Sequence, residues 1–372
     1  MSISVVLILG GSIINLTKFF MMHRRFSQQV IAWHKQSGRK NLPWQTNVTP
    51  YRVWVSEIML QQTQVATVIP YYQRFISRFQ DVKALAEASL DSVLQLWAGL
   101  GFYARAKNMH KCAQILVTEH DTKFPKDLTT LQKLPGIGIS TAGAILSFAF
   151  KQRGLILDGN IKRVLSRYLM IEGNLNASKS QSELWKLVEK LTPTQDCAAF
   201  NQAMMDIGAL ICTPNTPQCA NCPLQADCKA HKVGQETDFP QKQVAKTIPT
   251  KKIFMLILEN DEKQILLDQR PPTGIWNNLW CFPICEKEQE ITTICKEKYG
   301  YTLTEISRQK PFVHRLSHVH LLITPIYAKA HASTVMEATS KWHDVAYAFT
   351  CAIPKPVKMI LENALSKTSI KK

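Results

Sequence analysis

The stretch that decides the fold is LQKLPGIGISTA, which runs from Leu131 to Ala142. Its first residues predict a helix that ends at Pro135, because proline lacks the N–H group and its ring obstructs the preceding turn. Gly136 and Gly138 favour a tight turn in which backbone atoms can approach a partner closely. Ser140 or its neighbour is expected to cap a second helix, whose outward-facing amides could hold a phosphate. A purely structural helical hairpin would use the same residues.

Two changes of composition divide the 372 residues around that stretch. Helical patterns fill residues about 23–230, a polar segment follows, and strand-like runs begin at Lys252. The predicted fold class is multidomain, with an all-α module followed by an α+β module. The expected divisions are an N-terminal extension (1–21), an α-helical domain (22–231, with the hairpin at about 128–150), a linker (232–250), an α+β domain (251–365) and a basic tail (366–372).

Within the α+β module, four runs carry the prediction. IFMLILE and QILLDQR are expected to pair as strands through a polar turn, and HVHLLITPIYA to form another strand. PVKMILENALSK is typical of a helix.

The N-terminal extension is uncharged and largely apolar from Ile3 to Leu16, with Lys18 as its first cation. The run is too short to span a bilayer comfortably, and it lacks the flanks of a signal peptide. We expect a disordered segment or an over-extended start before Met21 or Met22, with a weak membrane-surface anchor as the alternative. The protein is expected to be cytoplasmic.

The charge balance points to a polyanionic partner. Lysine and arginine number 45 and aspartate and glutamate 28, which leaves a net charge of +17. Such a surplus is typical of nucleic-acid-binding proteins, although ribosome binding and simple solubility give the same sign. An apolar fraction of 45% excludes a mostly disordered or collagen-like chain.

Two carboxylates stand out against apolar surroundings. Glu57 lies in the apolar face of a helix predicted over Tyr51–Gln64, and Asp158 follows three apolar residues and precedes a basic helix. Glu57 could be an ordinary surface carboxylate and Asp158 an ordinary helix cap. Alternatively, burial raises the pKa of Glu57 and makes it a general acid, with Asp158 as a second active-site carboxylate. Such a pair suits cleavage of a glycosidic bond.

Four of the ten cysteines cluster with the spacing C-x6-C-x2-C-x5-C, at Cys212, Cys219, Cys222 and Cys228. Clustering of this kind in a reducing compartment indicates a metal site rather than disulfides. Four thiolates fit either zinc or an iron–sulfur cluster, and the residue types alone leave both open.

Together these residues resemble the helix–hairpin–helix base-excision glycosylases, and within that family its adenine-excising members. The resemblance covers about residues 26–365. It rests on Gly38-Arg39 with LPWQ at 42–45, VSEIMLQQTQVATVIPYY at 55–72, LWAGLGFYARAKN at 96–108, LPGIG at 134–138, ILDGN at 156–160 and FNQAMMDIGALIC at 200–212. It implies a helical glycosylase domain, similar to endonuclease III, in which the four clustered cysteines hold one [4Fe–4S] cluster.

The resemblance also implies a reaction and a partner. The reaction is hydrolysis of the N-glycosidic bond of adenine opposite 8-oxoguanine or guanine in double-stranded DNA, by a monomer without a membrane partner. Glu57 matches the acid that protonates adenine, Asp158 the carboxylate that stabilises the oxocarbenium ion, and Asn160 a hydrogen-bonding neighbour. Trp44 and Leu60 match walls of the adenine pocket, Gln62 and Phe102 match the probes of the duplex, and Gly136 and Gly138 match the DNA-holding turn. Lys162, near Asp158 in the sequence, is expected to contact a phosphate, with slow adventitious strand cleavage as the alternative.

Ser140 bears on the type of glycosylase. Lyase-competent relatives such as endonuclease III have a lysine at the matching position, which forms a Schiff base with the sugar, and serine cannot do so. The resemblance therefore implies a monofunctional enzyme that leaves an intact abasic strand. The alternatives are a bifunctional glycosylase/lyase and a non-catalytic DNA-damage binder.

The chain departs from the family pattern at its two probes of the lesion. Phe102 stands where tyrosine is usual, and Leu316-Ser317-His318 stands where Phe-Ser-His is usual, so one hydroxyl and one stacking ring are lost. The C-terminal module resembles a Nudix domain through RPPTGIWNNLWCFP. The stretch EKEQEITTICKEKYG lacks the carboxylate core of a Nudix hydrolase, so we expect a lesion reader without a metal site.

Overall fold

The computed structural model describes residues 6–9, 12–241, 247–332 and 340–369. The chain forms two compact units: the first comprises the chain up to residue 83 and residues 111–244, and the second comprises residues 84–110 and the chain from residue 245 onward. None of the helices in the described part of the chain combines the length and apolar character that crossing a membrane requires.

Twelve helices occupy the described chain up to the linker. They are α1 (Leu16–Ser37), α2 (Pro50–Leu60), α3 (Val65–Arg78), α4 (Val82–Glu87), α5 (Leu90–Trp97), α6 (Ala104–Glu119), α7 (Leu128–Lys133), α8 (Ile139–Ala144), α9 (Gly159–Leu169), α10 (Ser178–Leu191), α11 (Cys197–Asp206) and α12 (Lys229–Lys232). Short π-helical turns continue α8 over Ile145–Ala149 and α11 over Ile207–Ile211. Such turns are frequent beside functional sites.

The N-terminal extension differs from the expected disorder. Strands β1 (Val6–Leu9) and β2 (Ser12–Asn15) pair antiparallel, and α1 begins at Leu16. The β-branched valine and isoleucine residues of both strands explain the pairing, because they favour extended backbone. Residues 1–5 and 10–11 lie outside the described residues.

Helix α2 lies in the core of the first unit, and most of its residues are buried. Trp54 is fully buried and packs edge-on against Phe124, with ring centroids 5.4 Å apart. The predicted helix is confirmed but ends at Leu60, four residues early. The reason is local, because Gln62 takes a left-handed conformation with φ of 55° that an α-helix does not permit.

The helix–hairpin–helix forms where it is predicted. Helix α7 ends before Pro135, and Gly136 makes the turn with φ of 80°. The capping prediction is wrong, because α8 begins at Ile139 with Gly138 as its N-cap and no side chain caps it. Ser140 is already inside the helix, so its hydroxyl is directed elsewhere.

The second unit is built on an eight-stranded sheet. Its strands are β3 (Thr250–Glu259), β4 (Ile265–Gln269), β5 (Trp280–Cys281), β6 (Ile284–Cys285), β7 (Tyr301–Arg308), β8 (Phe312–Arg315), β9 (His320–Ala332) and β10 (Ser340–His343). The main order is β10-β4-β3-β9-β7, with β5 beside β4, β6 beside β3 and β8 beside β9. Strands β3 and β9 run parallel, and the other pairs are antiparallel.

One face of the sheet is covered by α13 (Ile291–Tyr299), whose Ile291, Cys295 and Tyr299 join the buried core of the strands. Helices α14 (Val345–Ala348) and α15 (Lys355–Ser369) follow. The predicted β3–β4 pair, the long strand β9 and the C-terminal helix are all confirmed.

Two hydrogen bonds join residues 84–110 to the C-terminal module within the second unit. Trp280 Nε1 donates to Asp91 Oδ1 over 3.0 Å, and Lys107 Nζ donates to Asn278 Oδ1 over 2.7 Å. The bonded residues lie far apart in the sequence, so the helical periodicity of residues 84–110 could not predict that they belong to the second unit.

Candidate active site

A cavity of about 1250 Å³ opens in the first unit. Seven of the residues singled out in the sequence line it: Trp44, Glu57, Leu60, Gln62, Ser140, Asp158 and Asn160. They come from α2, α8, α9 and the connecting segments, so the fold brings together groups about 100 residues apart. The cavity is therefore the candidate active site.

Glu57 reaches the cavity from α2, among the apolar side chains of Val53 and Leu60. Burial, and secondarily the charge of Asp158, raise the pKa of Glu57 to about 8. Loss of hydration disfavours the charged form of a carboxyl group. Glu57 is therefore protonated over much of the neutral range and can serve as a proton donor.

Asp158 is the N-cap of α9. Its Oδ1 accepts a hydrogen bond from the Ile161 amide over 2.7 Å, and its Oδ2 accepts one from Asn160 Nδ2 over 3.1 Å. Burial raises the pKa of Asp158, and these hydrogen bonds together with the charge of Arg163 oppose that rise. The cap interpretation is thus correct, and the same carboxyl faces the cavity in a fixed orientation.

Asn160 is itself held on its other side. Arg163 donates to Asn160 Oδ1 over 2.9 Å, to the Gly208 carbonyl over 2.6 Å and to the Cys212 carbonyl over 2.8 Å. A Cβ on Gly208 would press against the Asn160 side chain. Glycine at 208 therefore leaves room for Asn160. The Arg163 guanidinium holds the side-chain amide of Asn160, which in turn holds the Asp158 carboxylate.

Ser140 ties the hairpin to the segment that carries Asp158. Its Oγ accepts from the Leu157 amide over 3.1 Å and donates to the Leu157 carbonyl over 3.3 Å. Leu157 directly precedes Asp158, so the Ser140 hydroxyl in α8 fixes the backbone position immediately before the second carboxylate.

Two glycines allow that segment to approach the hairpin. A Cβ added to Gly143 would overlap the carbonyl of Leu155, and a Cβ added to Gly154 would overlap the carbonyl of Gly143. Because the atoms that would clash belong to the backbone, neither segment could move aside without a large cost in free energy. Only glycine lets α8 and residues 154–158 lie this close.

Trp44 forms a wall of the cavity and is held by the loop before α2. Its ring meets Tyr72 edge-on with centroids 5.4 Å apart. Arg39 pairs with the fully buried Asp206 at 2.7 Å, and Gln45 donates to the Arg39 carbonyl over 3.0 Å. The Gly38-Arg39 and LPWQ strings therefore fix the loop that places Trp44.

Three predicted contacts of the first unit, Gly136, Gly138 and Lys162, lie outside the cavity lining. Gly136 forms the hairpin turn, and Gly138 has open space where a Cβ would stand. Lys162 is half-buried, and burial lowers its pKa against the opposing charge of Asp158. Gln62 lines the cavity but is exposed, in a strained left-handed conformation.

The four clustered cysteines are free thiols, each half-buried. The sulfur of Cys212 interacts electrostatically with those of Cys219, Cys222 and Cys228. Arg167 is almost fully buried and donates to Cys212 Sγ over 3.4 Å and to the carbonyls of Thr213 and Pro214. The loop is thus gathered around four sulfurs and one buried cation.

A second set of possible metal ligands adjoins this loop. Cys219, His231 and Glu236 place one donor atom each within 4.8 Å of one another. His231 Nδ1 lies 2.5 Å from Glu236 Oε1, and Cys219 Sγ lies 3.4 Å from the same oxygen. This set shares Cys219 with the predicted ligands, and its other two members, His231 and Glu236, contact each other directly.

Phe102 lies in the second unit, exposed to 46%. Its left-handed backbone, with φ of 50°, presents the ring at the tip of the loop before α6. Arg105 stacks between this ring and Trp97, 5.3 Å from each centroid. Arg105 therefore restrains the loop, while the ring of Phe102 stays accessible to solvent.

Leu316, Ser317 and His318 form the turn between β8 and β9. The Leu316 amide donates to the Val319 carbonyl over 3.0 Å and closes the turn. Leu316 is half-buried, and Ser317 and His318 are exposed. A hairpin tip in the second unit thus carries all three residues.

Sequence reasoning missed the supporting residues. Arg163, Arg167 and Asp206 are buried or half-buried charges whose partners are distant in sequence. Gly143 carried the clearest signal, because a glycine inside a helical pattern usually has a packing reason.

Comparisons with known proteins agree with this architecture. Residues 55–190 match the HhH-GPD superfamily of base excision DNA repair proteins, and residues 254–363 match the NUDIX domain. The adenine DNA glycosylase of Buchnera aphidicola subsp. Schizaphis graminum is 42% identical over 91% of this chain and 98% of its own length.

Solved structures share the fold of the helical part. A thermostable thymine-DNA glycosylase is 24% identical, with a TM-score of 0.52, over 58% of this chain and 99% of its own. Endonuclease III in a non-covalent DNA complex is 22% identical, with a TM-score of 0.50, over 58% and 97%. The predicted fold class, a helix–hairpin–helix glycosylase followed by a Nudix-like α+β domain, is confirmed, and the chain belongs to the adenine DNA glycosylase family.

Proposed function

We propose that this protein hydrolyses the N-glycosidic bond of adenine opposite 8-oxoguanine or guanine in duplex DNA and leaves an abasic site. The observation that carries the proposal is the pairing of Glu57, protonated near neutral pH, with the hydrogen-bonded Asp158 in one cavity. Two carboxyl groups in unlike environments supply the acid and the anion that this reaction needs.

Glu57 acts as the general acid. Its proton passes to a ring nitrogen of adenine, and the electron pair of the glycosidic bond leaves with the base. The apolar wall of Val53 and Leu60 keeps this carboxyl protonated until the base arrives. Trp44 offers a flat apolar surface against which an extruded adenine can stack.

Asp158 stabilises the positive charge that remains on the sugar. Its two hydrogen-bond donors, Ile161 N and Asn160 Nδ2, hold one carboxylate orientation and need not reorganise during the reaction. A water molecule then adds to the cationic carbon and loses a proton to the Glu57 carboxylate, which completes hydrolysis and regenerates the acid.

Ser140 makes the reaction monofunctional in this proposal. Its hydroxyl is engaged with both backbone groups of Leu157 and has no amine with which to attack the sugar. Hydrolysis therefore ends at an abasic sugar within an unbroken strand. Lys162 is the amine nearest in sequence to Asp158, and a half-buried phosphate contact is its proposed role.

The cysteine loop fits one [4Fe–4S] cluster. Four free thiols are gathered together, and Arg167 supplies a buried positive charge and an N–H donor to Cys212 Sγ. Cys212, Cys219, Cys222 and Cys228 would hold the cluster, which would brace the loop rather than enter the hydrolysis. Cys222→Ser should abolish the visible absorbance of the purified protein and lower its folded yield, whereas the buried Cys112→Ser should keep the absorbance.

Duplex DNA is the proposed partner. The hairpin turn at Gly136 and Gly138 leaves open backbone for a phosphate contact, consistent with the net charge of +17. Phe102 and Gln62 would enter the duplex, and the Leu316–His318 turn would read the oxidised guanine. A wedge of this kind fills the space that an extruded base leaves behind.

The test uses a labelled duplex with adenine opposite 8-oxoguanine under single-turnover conditions. Half of each sample is analysed directly and half after hot alkali. Breaks only after alkali support the proposal. Breaks without alkali would instead indicate a lyase and direct attention to Lys162, and binding without adenine release would indicate a non-catalytic damage binder.

A further inference from the structure

The loop of residues 270–278 takes no part in the proposed chemistry, yet its conformation is strained. Trp276 has φ of 55° and Asn278 has φ of 63°. Side chains other than glycine rarely adopt this left-handed backbone, so the surroundings must hold it. Trp276 is exposed to only 7% and Asn278 is half-buried, so the two strained residues are packed against their surroundings.

On one side this loop contacts the hairpin that carries the Leu316–His318 turn. The Trp276 ring lies 5.7 Å from the ring of His314, measured between centroids. His314 pairs with Leu321 across β8 and β9 and precedes Leu316 by two residues. The indole therefore supports the strand that ends in the turn.

On the other side the loop contacts the helix that follows Phe102. Asn278 Oδ1 accepts the 2.7 Å hydrogen bond of Lys107 Nζ, and the Asn278 amide donates to the Arg270 carbonyl over 3.2 Å. Lys107 lies in the first turn of α6, and its amide donates to the Tyr103 carbonyl within the Phe102 loop. All of these residues belong to the second unit.

We propose that Trp276 and Asn278 are positioning residues that couple the Phe102 loop to the Leu316–His318 turn and set the discrimination between 8-oxoguanine and guanine opposite adenine. The inference rests on the proposed function. A reader that touches the partner base gains selectivity only if its two probes keep a fixed spacing, and this loop is a continuous path between them.

Because both residues have a left-handed backbone, glycine can replace either side chain without forcing the backbone to change. Asn278→Gly removes the amide while glycine accepts the same backbone conformation, and Trp276→Gly removes the ring in the same way. Asn278→Asp keeps an acceptor for Lys107 and serves as the conservative rescue. Single-turnover excision rates and equilibrium binding are measured on duplexes with adenine opposite 8-oxoguanine and opposite guanine.

Asn278→Gly is expected to lower the ratio of the two rates about fivefold, the effect of one lost hydrogen bond, with excision opposite guanine unchanged. Asn278→Asp should retain the ratio. Lys107→Met should lower it equally, and the double variant Lys107→Met/Asn278→Gly should add nothing further.

Trp280→Phe is the matched control, since it breaks the hydrogen bond to Asp91, which also joins residues 84–110 to the C-terminal module. An equal loss of selectivity in Trp280→Phe, or an unchanged ratio in Asn278→Gly at an unchanged melting temperature, would overturn the inference. If the wild-type chain binds both duplexes without excising adenine, the proposed function fails, and the ratio of binding constants still decides the coupling.

Discussion

The cavity around Glu57 and the turn at Leu316–His318 differ in how their side chains are held. In the cavity, Asp158 is held by hydrogen bonds from Asn160 and from the Ile161 amide, and Glu57 lies among apolar side chains. The turn has one closing backbone hydrogen bond, and Ser317 and His318 are exposed. The proposed chemistry therefore depends on groups held rigidly inside the cavity, whereas the proposed lesion reading depends on residues that support the turn from outside it.

The largest expected effect breaks the cavity side of the comparison. Glu57→Gln keeps the shape of the side chain but removes its transferable proton, so we expect adenine excision to fall about 10²–10⁴-fold while duplex binding is retained. Excision is measured in single turnover and binding by titration with a labelled duplex. The exposed Glu172→Gln is the matched control. Undiminished turnover of Glu57→Gln would remove Glu57 from the acid role.

A second change tests the packing beneath Asp158. Gly143→Ala should destabilise the fold by about 2–3 kcal/mol, because its Cβ would overlap the Leu155 carbonyl. Thermal and urea unfolding measure the loss. Gly138→Ala, in the same hairpin but with open space at the Cβ, should leave the stability nearly unchanged. Equal stabilities for the two variants would show that the close approach is not rigid.

The pH profile sharpens the comparison by separating the two carboxyl groups. Glu57 must be protonated, and its pKa is raised to about 8, so excision should fall about tenfold per pH unit well above that value. Asp158 must be ionised, so excision should also fall at acid pH, earlier than an ordinary aspartate would cause because its pKa is raised. Because the two carboxyl groups interact, the apparent pKa values of the acid and alkaline limbs of the pH profile describe the pair rather than either residue alone. Rates that still rise above pH 9 would contradict this assignment.

The smallest expected effect concerns the turn. Leu316→Phe restores an aromatic ring at an apolar position and should tighten binding to the 8-oxoguanine duplex about fivefold through stacking. Excision from a saturated complex should stay constant, because the turn does not belong to the cavity. Leu316→Met, apolar without a ring, is the comparison variant. A faster chemical step in Leu316→Phe would mean that the turn acts on the reaction itself.

The sequence predicted the parts of this molecule that local patterns encode. The hairpin at Pro135 and Gly136 and the strands β3, β4 and β9 follow from spacing and residue type, whereas the proposed roles of the two carboxylates came from the family resemblance. Groups held by distant partners were not predictable, such as Arg163 with the Gly208 carbonyl. The capping role expected of Ser140 failed because the helix begins at Ile139, two residues earlier than a helix capped by Ser140 would begin.

The grouping of residues 84–110 with the C-terminal module has a consequence for how the chain is made. Lys107 and Asn278 are separated by 171 residues. At ribosomal rates of about 5–20 residues per second, Lys107 is synthesised roughly 10–30 s before its partner exists. Closing so long a loop is also entropically costly and therefore slow. The first unit can thus complete its cavity during translation, while the spacing between the proposed lesion probes, Phe102 and the Leu316–His318 turn, is set only after the last strands have emerged.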